Sequence, residues 1–201
     1  MTTSKNAGWL PSVIASTLLA ATTPLAYAEQ ANRQGKNEFF MIAQSMSGDT
    51  NPADSFEAEI GDTDFFGIGI GRNFNNRLNT NFELFFGDTE LVAKRRFSET
   101  KDSTDIWGIG MNVDYNILNT RLTPVLTGGF GWLNFSGDFS SNTGTDFSET
   151  NLYYTLGAGV RWDATENWFV KALYKATWAE LGDIDDKFQL GGITLNLGYA
   201  Y

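Results

Sequence analysis

Carboxylates and basic groups are the side chains of this sequence that could carry chemistry, because it contains no histidine and no cysteine. These two absences exclude Ser-His-Asp hydrolases, histidine-based general-base catalysis, thiolate nucleophiles, disulfides and most zinc sites. Five charged residues stand out because they occupy segments of alternating small and apolar residues: Glu83, Asp114, Arg161, Lys171 and Lys175. If these segments share one interior, we expect the two acids and three bases to form ion pairs, since isolated buried charges are costly.

Two interpretations of these five residues are open. As a gate, the ion pairs would exchange partners and admit water or ions; as a plug, they would fill and fix the interior. A narrow interior that side chains can fill favours the plug. No catalytic residue and no cofactor is predicted. The Asp-rich stretches lack the ligand spacing of an EF-hand loop, so no metal site is predicted.

In the segments that must position these charges, apolar residues alternate with small or polar residues at a period of two, which predicts β-strands. In DIWGIGMNVDYN, for example, Trp107, Ile109 and Met111 lie on one face, and Gly108 and Gly110 lie on the other. Helical periodicity is nearly absent after residue 28. The predicted strands cover 37–46, 62–74, 78–90, 104–115, 121–133, 151–162, 168–178 and 188–201. Most have about 10 to 13 residues, close to the length with which a tilted strand crosses a bilayer.

The connections between these strands alternate in length. Short turns are predicted at 75–77, 116–120 and 163–167, and long polar loops at 47–61, 91–103, 134–150 and 179–187. Because no apolar run after residue 28 is as long as a transmembrane helix, a closed barrel is the remaining form that could span a membrane. The sequence therefore predicts an all-β fold, an eight-stranded antiparallel up-and-down transmembrane β-barrel.

Large aromatic residues are sorted to both ends of the apolar strand faces. The predicted girdles consist of Phe66, Phe74, Phe86, Trp107, Tyr115, Trp132, Trp162, Trp168, Trp178 and Tyr199. A soluble barrel or sandwich is the alternative, with the apolar face inward and the polar face in water. It does not explain this sorting, nor the many glycines on the polar face, whereas a membrane places aromatic rings at both of its interfaces.

The first 28 residues predict a secretory signal peptide, which ends at the cleavage pattern Ala26-Tyr27-Ala28. Residues 29–201 would then form one barrel domain in the cell outer membrane. The net charge of −10 makes nucleic acid an improbable partner. One predicted loop carries a basic patch, Lys94, Arg95, Arg96 and Lys101, which could meet phosphates of lipopolysaccharide or a host or cell-surface polyanion.

The strand phrases TPVLTGGFGW (123–132) and YTLGAGVRW (154–162), with the eight-strand pattern, resemble the small outer-membrane barrel proteins. These include the OmpA transmembrane domain and the OmpX/Ail group. The resemblance implies a structural and surface-interaction role: membrane integrity, with lipopolysaccharide or cell-surface contact through extracellular loops. The alternative is a narrow porin-like channel of the OmpW type for small solutes or apolar molecules. Enzymes of this superfamily use histidine, so no enzyme is predicted.

The terminal strand ITLNLGYAY looks like the signal that the barrel-assembly machinery reads in this superfamily. The residues that would carry this signal are Ile193, Leu195, Leu197, Tyr199 and Tyr201. The usual last residue of the signal is phenylalanine, and this sequence has Tyr201 in its place. The assembly machinery and the lipids of the outer membrane are therefore the expected partners during biogenesis.

Overall fold

The structure, a computed structural model, describes residues 29–49, 57–60, 63–95, 98–138, 146–180 and 187–201. The predicted signal peptide, 1–28, lies outside these residues. The described part of the chain contains the strands β1 (Asn37–Asp49), β2 (Glu57–Ile60), β3 (Thr63–Asn73), β4 (Leu78–Arg95), β5 (Ser98–Asn116), β6 (Leu122–Asp138), β7 (Asp146–Asp163), β8 (Trp168–Glu180) and β9 (Lys187–Ala200). Within these ranges no helix is long and apolar enough to cross a membrane.

Eight of these strands close into a ring in which every pairing is antiparallel. β1 lies between β3 and β9, so that Met41 is paired with Ile68 on one side and with Leu197 on the other. The pairing of β4 with β5 completes the ring. β2 lies outside it and pairs only with the far end of β4. The predicted eight-stranded up-and-down barrel is thus confirmed.

The two ends of the barrel differ in how well the sequence predicted them. At one end, here called the turn end, the connections 74–77, 117–121 and 164–167 match the predicted turns to within a residue. At the opposite end, the loop end, the strands are longer than predicted. The prediction of a loop over 91–103 is wrong for most of its length, because β4 continues to Arg95 and β5 begins at Ser98. The start of β5, residues 98–104 (SETKDST), is entirely polar and so lacks the alternation on which strand prediction depends.

The interior face of the barrel contains large apolar residues as well as polar residues and glycine. Two apolar clusters lie inside the barrel. The cluster near the turn end contains Phe40, Ile42, Phe169 and Ala200. The cluster near the loop end contains Met46, Phe65, Phe85, Ile106, Leu133, Tyr153, Ala179 and Leu190. Aromatic rings fill the space that glycine leaves: a Cβ on Gly69 would overlap the ring of Phe40. Side chains therefore fill the interior of the barrel.

Candidate functional site

Among the described residues, eight charged side chains are buried in the barrel or at its turn end, and they include all five that the sequence singled out. Those five are at most 5% exposed. The other three were not predicted: Glu38 and Arg33 are 1% and 2% exposed, and Asp163 is 8% exposed. The set is here called the ion-pair ladder: Arg33, Glu38, Glu83, Asp114, Arg161, Asp163, Lys171 and Lys175. Its members form three successive rungs from the turn end toward the loop end.

The first rung, at the turn end, is a chain of alternating charges. Arg161 Nη1 lies 2.7 Å from Glu38 Oε1, and Arg161 Nε lies 2.8 Å from Asp163 Oδ1. The second oxygen of Asp163 lies 2.6 Å from Arg33 Nη2. The Arg161 guanidinium also stacks on Phe169, with Cζ 4.2 Å from the ring centroid. Two bases and two acids are thereby neutralised in one layer.

The second rung joins Lys171 to Asp114. Lys171 Nζ lies 2.8 Å from Asp114 Oδ2, and Asn81 Nδ2 donates a hydrogen bond to the same oxygen at 2.8 Å. The Lys171 ammonium also lies 4.7 Å from the ring centroid of Phe40 and 5.5 Å from that of Phe169. Attraction between a cation and aromatic rings adds to the ion pair in such a dry position.

The third rung joins Lys175 to Glu83, with Lys175 Nζ 3.0 Å from Glu83 Oε2. A cavity of about 20 Å³ lies beside it, which is room for roughly one water molecule. Near the loop end, the rings of Phe65, Phe85 and Tyr153 pack together as an aromatic cluster. Phe85 packs edge-on against both of the other rings, at centroid distances of 5.5 Å and 6.1 Å.

A short segment before β1, residues 29–36, crosses the turn end and is here called the strap. Gln30 forms a β-bridge with Thr120, and Arg121 N donates to Glu29 O at 3.0 Å. Gly35, with φ of 77°, reverses the chain into β1 in a left-handed conformation that glycine adopts readily. The strap thus lies against the turns rather than extending into solvent.

Arg33 of the strap is 2% exposed and reaches all three short connections. Its guanidinium donates to Asn76 O at 2.9 Å, to Thr120 O at 2.6 Å, and to Asp163, which precedes the third turn. Burial lowers the pKa of Arg33 below its ordinary value, although Asp163 raises it in part. An arginine guanidinium keeps its charge in proteins.

The ion-pair ladder carries no net charge, since four acids and four bases are buried together in the described part of the chain. Every member lies within 3.0 Å of an oppositely charged partner. Nowhere in the described ranges do three acidic residues come together as a cluster that could hold a metal ion. This arrangement can fill the interior and hold the strands in place.

The outer face of the ring is apolar and contains the residues predicted for the girdles. Nine of the ten are exposed on the outside, and Trp178 is half-buried. Trp168 and Tyr199 pack edge-on, with ring centroids 5.3 Å apart. The residues predicted for the assembly signal also point outward: Ile193, Leu195, Leu197, Tyr199 and Tyr201. Their part in assembly stays a prediction.

Charged residues of the loop end are only partly described. Arg96 lies outside the described residues, and for Lys94, Arg95 and Lys101 the strand backbone is described but the side chains are not. A separate feature is the aspartate row, Asp64, Asp88 and Asp105, which face outward on three adjacent strands. Asp88 is directly opposite Asp64 on one side and Asp105 on the other.

Comparisons with known proteins agree with the barrel architecture. Residues 12–200 match the model of a family described as the outer membrane protein beta-barrel domain. The chain is similar to Neisserial surface protein A, at 13% identity and a TM-score of 0.61, over 82% of this chain and 97% of that one. It is also similar to OprG from Pseudomonas aeruginosa, at 11% identity and a TM-score of 0.55, over 86% and 98%. At these identities the similarity concerns the fold. No curated protein matches the chain significantly.

Proposed function

Since this chain belongs to the outer membrane protein beta-barrel domain family, and is a barrel of the outer membrane, we propose that it has a structural and surface-interaction role. In this proposal the barrel is closed to solutes. It stabilises the membrane in which it lies and presents its loop end to lipopolysaccharide or to another cell surface. It carries out no chemical reaction.

The observation that carries this proposal is the packed interior. Three neutral rungs and two apolar clusters occupy the barrel along its length. The cavity beside the third rung has room for about one water molecule, and the strap covers the turn end. A continuous aqueous path would require paired charges to separate inside the protein, which is costly.

The distribution of charge supports a role at the loop end. The segments 49–64, 88–105, 138–149 and 180–187 contain 18 acidic and five basic residues, whereas the buried charges cancel. The acidic net charge of the protein is therefore concentrated in the strand ends and connections of the loop end. Four of the five basic residues form the predicted patch in 94–101, which offers phosphate groups a contact within an otherwise acidic surface.

Planar-bilayer recording on the refolded protein tests the closed state. We expect no discrete conductance steps from barrels whose insertion is verified by the mobility difference between boiled and unboiled samples on SDS gels. An established porin in the same bilayers would show that channels are detectable. Regular conductance steps from this protein, absent in protein-free bilayers, would overturn the closed barrel in favour of the narrow channel.

The surface role has its own test at the predicted basic patch. Replacing Lys94, Arg95 and Arg96 together with alanine is expected to reduce binding to vesicles that contain lipopolysaccharide, and the reduction should shrink at high salt. Replacing Arg72 and Arg77, which are exposed at the turn end, removes charge from the opposite surface and serves as the control. Equal binding by the triple variant and the original protein would eliminate the patch as a contact.

A further inference from the structure

We propose that the strap is a removable seal over the turn end of the barrel, with Arg33 as the anchor that holds it closed. The strap would open without unfolding the barrel and expose the first rung of the ion-pair ladder to the periplasm. This inference rests on the proposed closed barrel but goes beyond it, since it concerns one end of the interior and a change of state.

Arg33 is suited to act as an anchor because one guanidinium connects the three short connections. Its donors reach Asn76 O in the first turn, Thr120 O in the second, and the carboxylate of Asp163 before the third. A lysine at this position would offer one compact ammonium instead of a planar fork. Main-chain hydrogen bonds also hold the strap, among them Gly35 N to Asn73 O and Asn73 N to Lys36 O, both at 2.9 Å. Two further side-chain contacts are exposed: Lys36 Nζ bonds Glu166 O, and Arg121 pairs with Glu29.

The strap can leave without breaking the ring, because none of the eight ring strands includes its residues. Its removal also leaves no isolated charge behind. Asp163 would keep Arg161 at 2.8 Å, and Arg161 would keep Glu38 at 2.7 Å. Without Arg33 the first rung would carry one net negative charge, but both carboxylates would keep Arg161 as a partner and water entering at the turn end would solvate the excess charge. We therefore expect variants of Arg33 to fold.

Space for water already exists beneath the strap. A cavity of about 60 Å³ lies between the strap and the first rung, and it is lined by Arg33, Arg161, Asp163 and Ala200 among others. Phe40 and Phe169 lie farther inside and pack edge-on at a centroid distance of 6.3 Å. Opening of the strap would therefore admit water to the first rung, while these rings continue to block passage through the barrel.

Single-cysteine labelling tests the seal, and the absence of native cysteine means that only the introduced thiol reacts. Ala200→Cys places the thiol at the cavity beneath the strap, at a side chain that is 6% exposed. The matched control is Ala179→Cys, an equally small change at an interior position near the loop end. Both are made in the full chain, which is refolded into vesicles and treated with a charged methanethiosulfonate reagent.

In the Ala200→Cys background, Arg33→Ala should raise the labelling rate by at least about tenfold, because the loss of hydrogen bonds to a buried charge favours local opening. The exposed neighbour serves as the control: Gln34→Ala should leave the rate within about twofold. Labelling of Ala179→Cys should be the same with and without Arg33. An unchanged rate at Ala200→Cys, or equal increases at both cysteines, would overturn the seal.

Two further variants separate the anchor from the shape of the strap. Gly35→Val should also speed labelling, because a β-branched residue is strained at φ of 77°, whereas Gly35→Asn should preserve protection. Methylguanidinium at millimolar concentration should restore protection to Arg33→Ala but not to Gly35→Val. Failure of this rescue would refute the role of Arg33 as anchor. Conductance by the unmodified protein would instead refute the closed barrel and leave the labelling comparison readable.

Discussion

Replacing Lys175 with methionine is expected to destabilise the barrel far more than replacing Arg121 with methionine. The two cations belong to ion pairs of nearly equal length: Lys175 Nζ lies 3.0 Å from Glu83, and Arg121 Nη2 lies 2.9 Å from Glu29. The burial of the two pairs differs sharply. The side chains of the first pair are 4% and 5% exposed, whereas those of the second are 31% and 70% exposed.

The expected loss of unfolding free energy depends on the unpaired carboxylate that each substitution leaves. At an effective dielectric constant of about 20, a pair at 3.0 Å has a gross attraction of about 5.5 kcal/mol, and the 0.1 Å difference in length changes it by only ~0.2 kcal/mol. Removing one partner of a buried pair costs about 3–5 kcal/mol, because the other charge stays unpaired. Glu83 adjoins a cavity that can hold one water molecule, so we expect about 3 kcal/mol for Lys175→Met. For Arg121→Met we expect less than about 1 kcal/mol.

Urea unfolding of the refolded barrel in lipid vesicles, followed by tryptophan fluorescence, measures both free energies, provided that the m-values agree. Combining Lys175→Met with Glu83→Met should recover most of the loss, since replacing a buried pair by apolar residues is often nearly neutral. A cost below about 1 kcal/mol for Lys175→Met would refute the reasoning. A double variant that is as unstable as Lys175→Met would also refute the reasoning, because the loss of stability would then come from packing rather than from an unpaired charge.

Three other substitutions test the packing and the electrostatics of the barrel by the same measurement. Asp88→Asn should stabilise the barrel by about 0.2–1 kcal/mol for each of its two neighbours in the aspartate row, because like charges directly opposite each other repel. High salt should remove this gain in stability. A gain that persists in high salt would have another cause than charge repulsion. Gly110→Ala should cost about 1–3 kcal/mol, because the added Cβ would overlap the Tyr153 hydroxyl inside the barrel. In Gly128→Ala the added Cβ would lie 3.2 Å from a methyl group of Leu156 and 3.8 Å from Thr155 O, and stability should change by less than about 0.5 kcal/mol because the leucine methyl can move. The opposite ranking of the two glycines would contradict the packing described here.

Alternation predicted the ring well because each strand has one continuous apolar face. Ile68 and Ile70 on β3 are 47% and 59% exposed, as expected of the outer face, and Gly69 between them is inside. Alternation did not single out Phe40 and Phe169, whose rings are buried inside the barrel. A narrow barrel must also fill its interior, and a ring next to glycine does so. Hydrophobicity alone does not distinguish a ring that faces lipid from a ring that fills such an interior.

Charge balance is the signal that could have found the rest of the ion-pair ladder. The five predicted charges comprise two acids and three bases, which leaves one cation without a partner in a dry interior. Glu38 shares its strand face with Phe40 and Ile42, and it supplies the missing acid. Asp163, at the end of β7, then adds a negative charge that requires one more cation. That cation comes from outside the strands, so no strand pattern could have revealed Arg33. A neutral interior therefore requires one cation from outside the ring strands, and the strap supplies it.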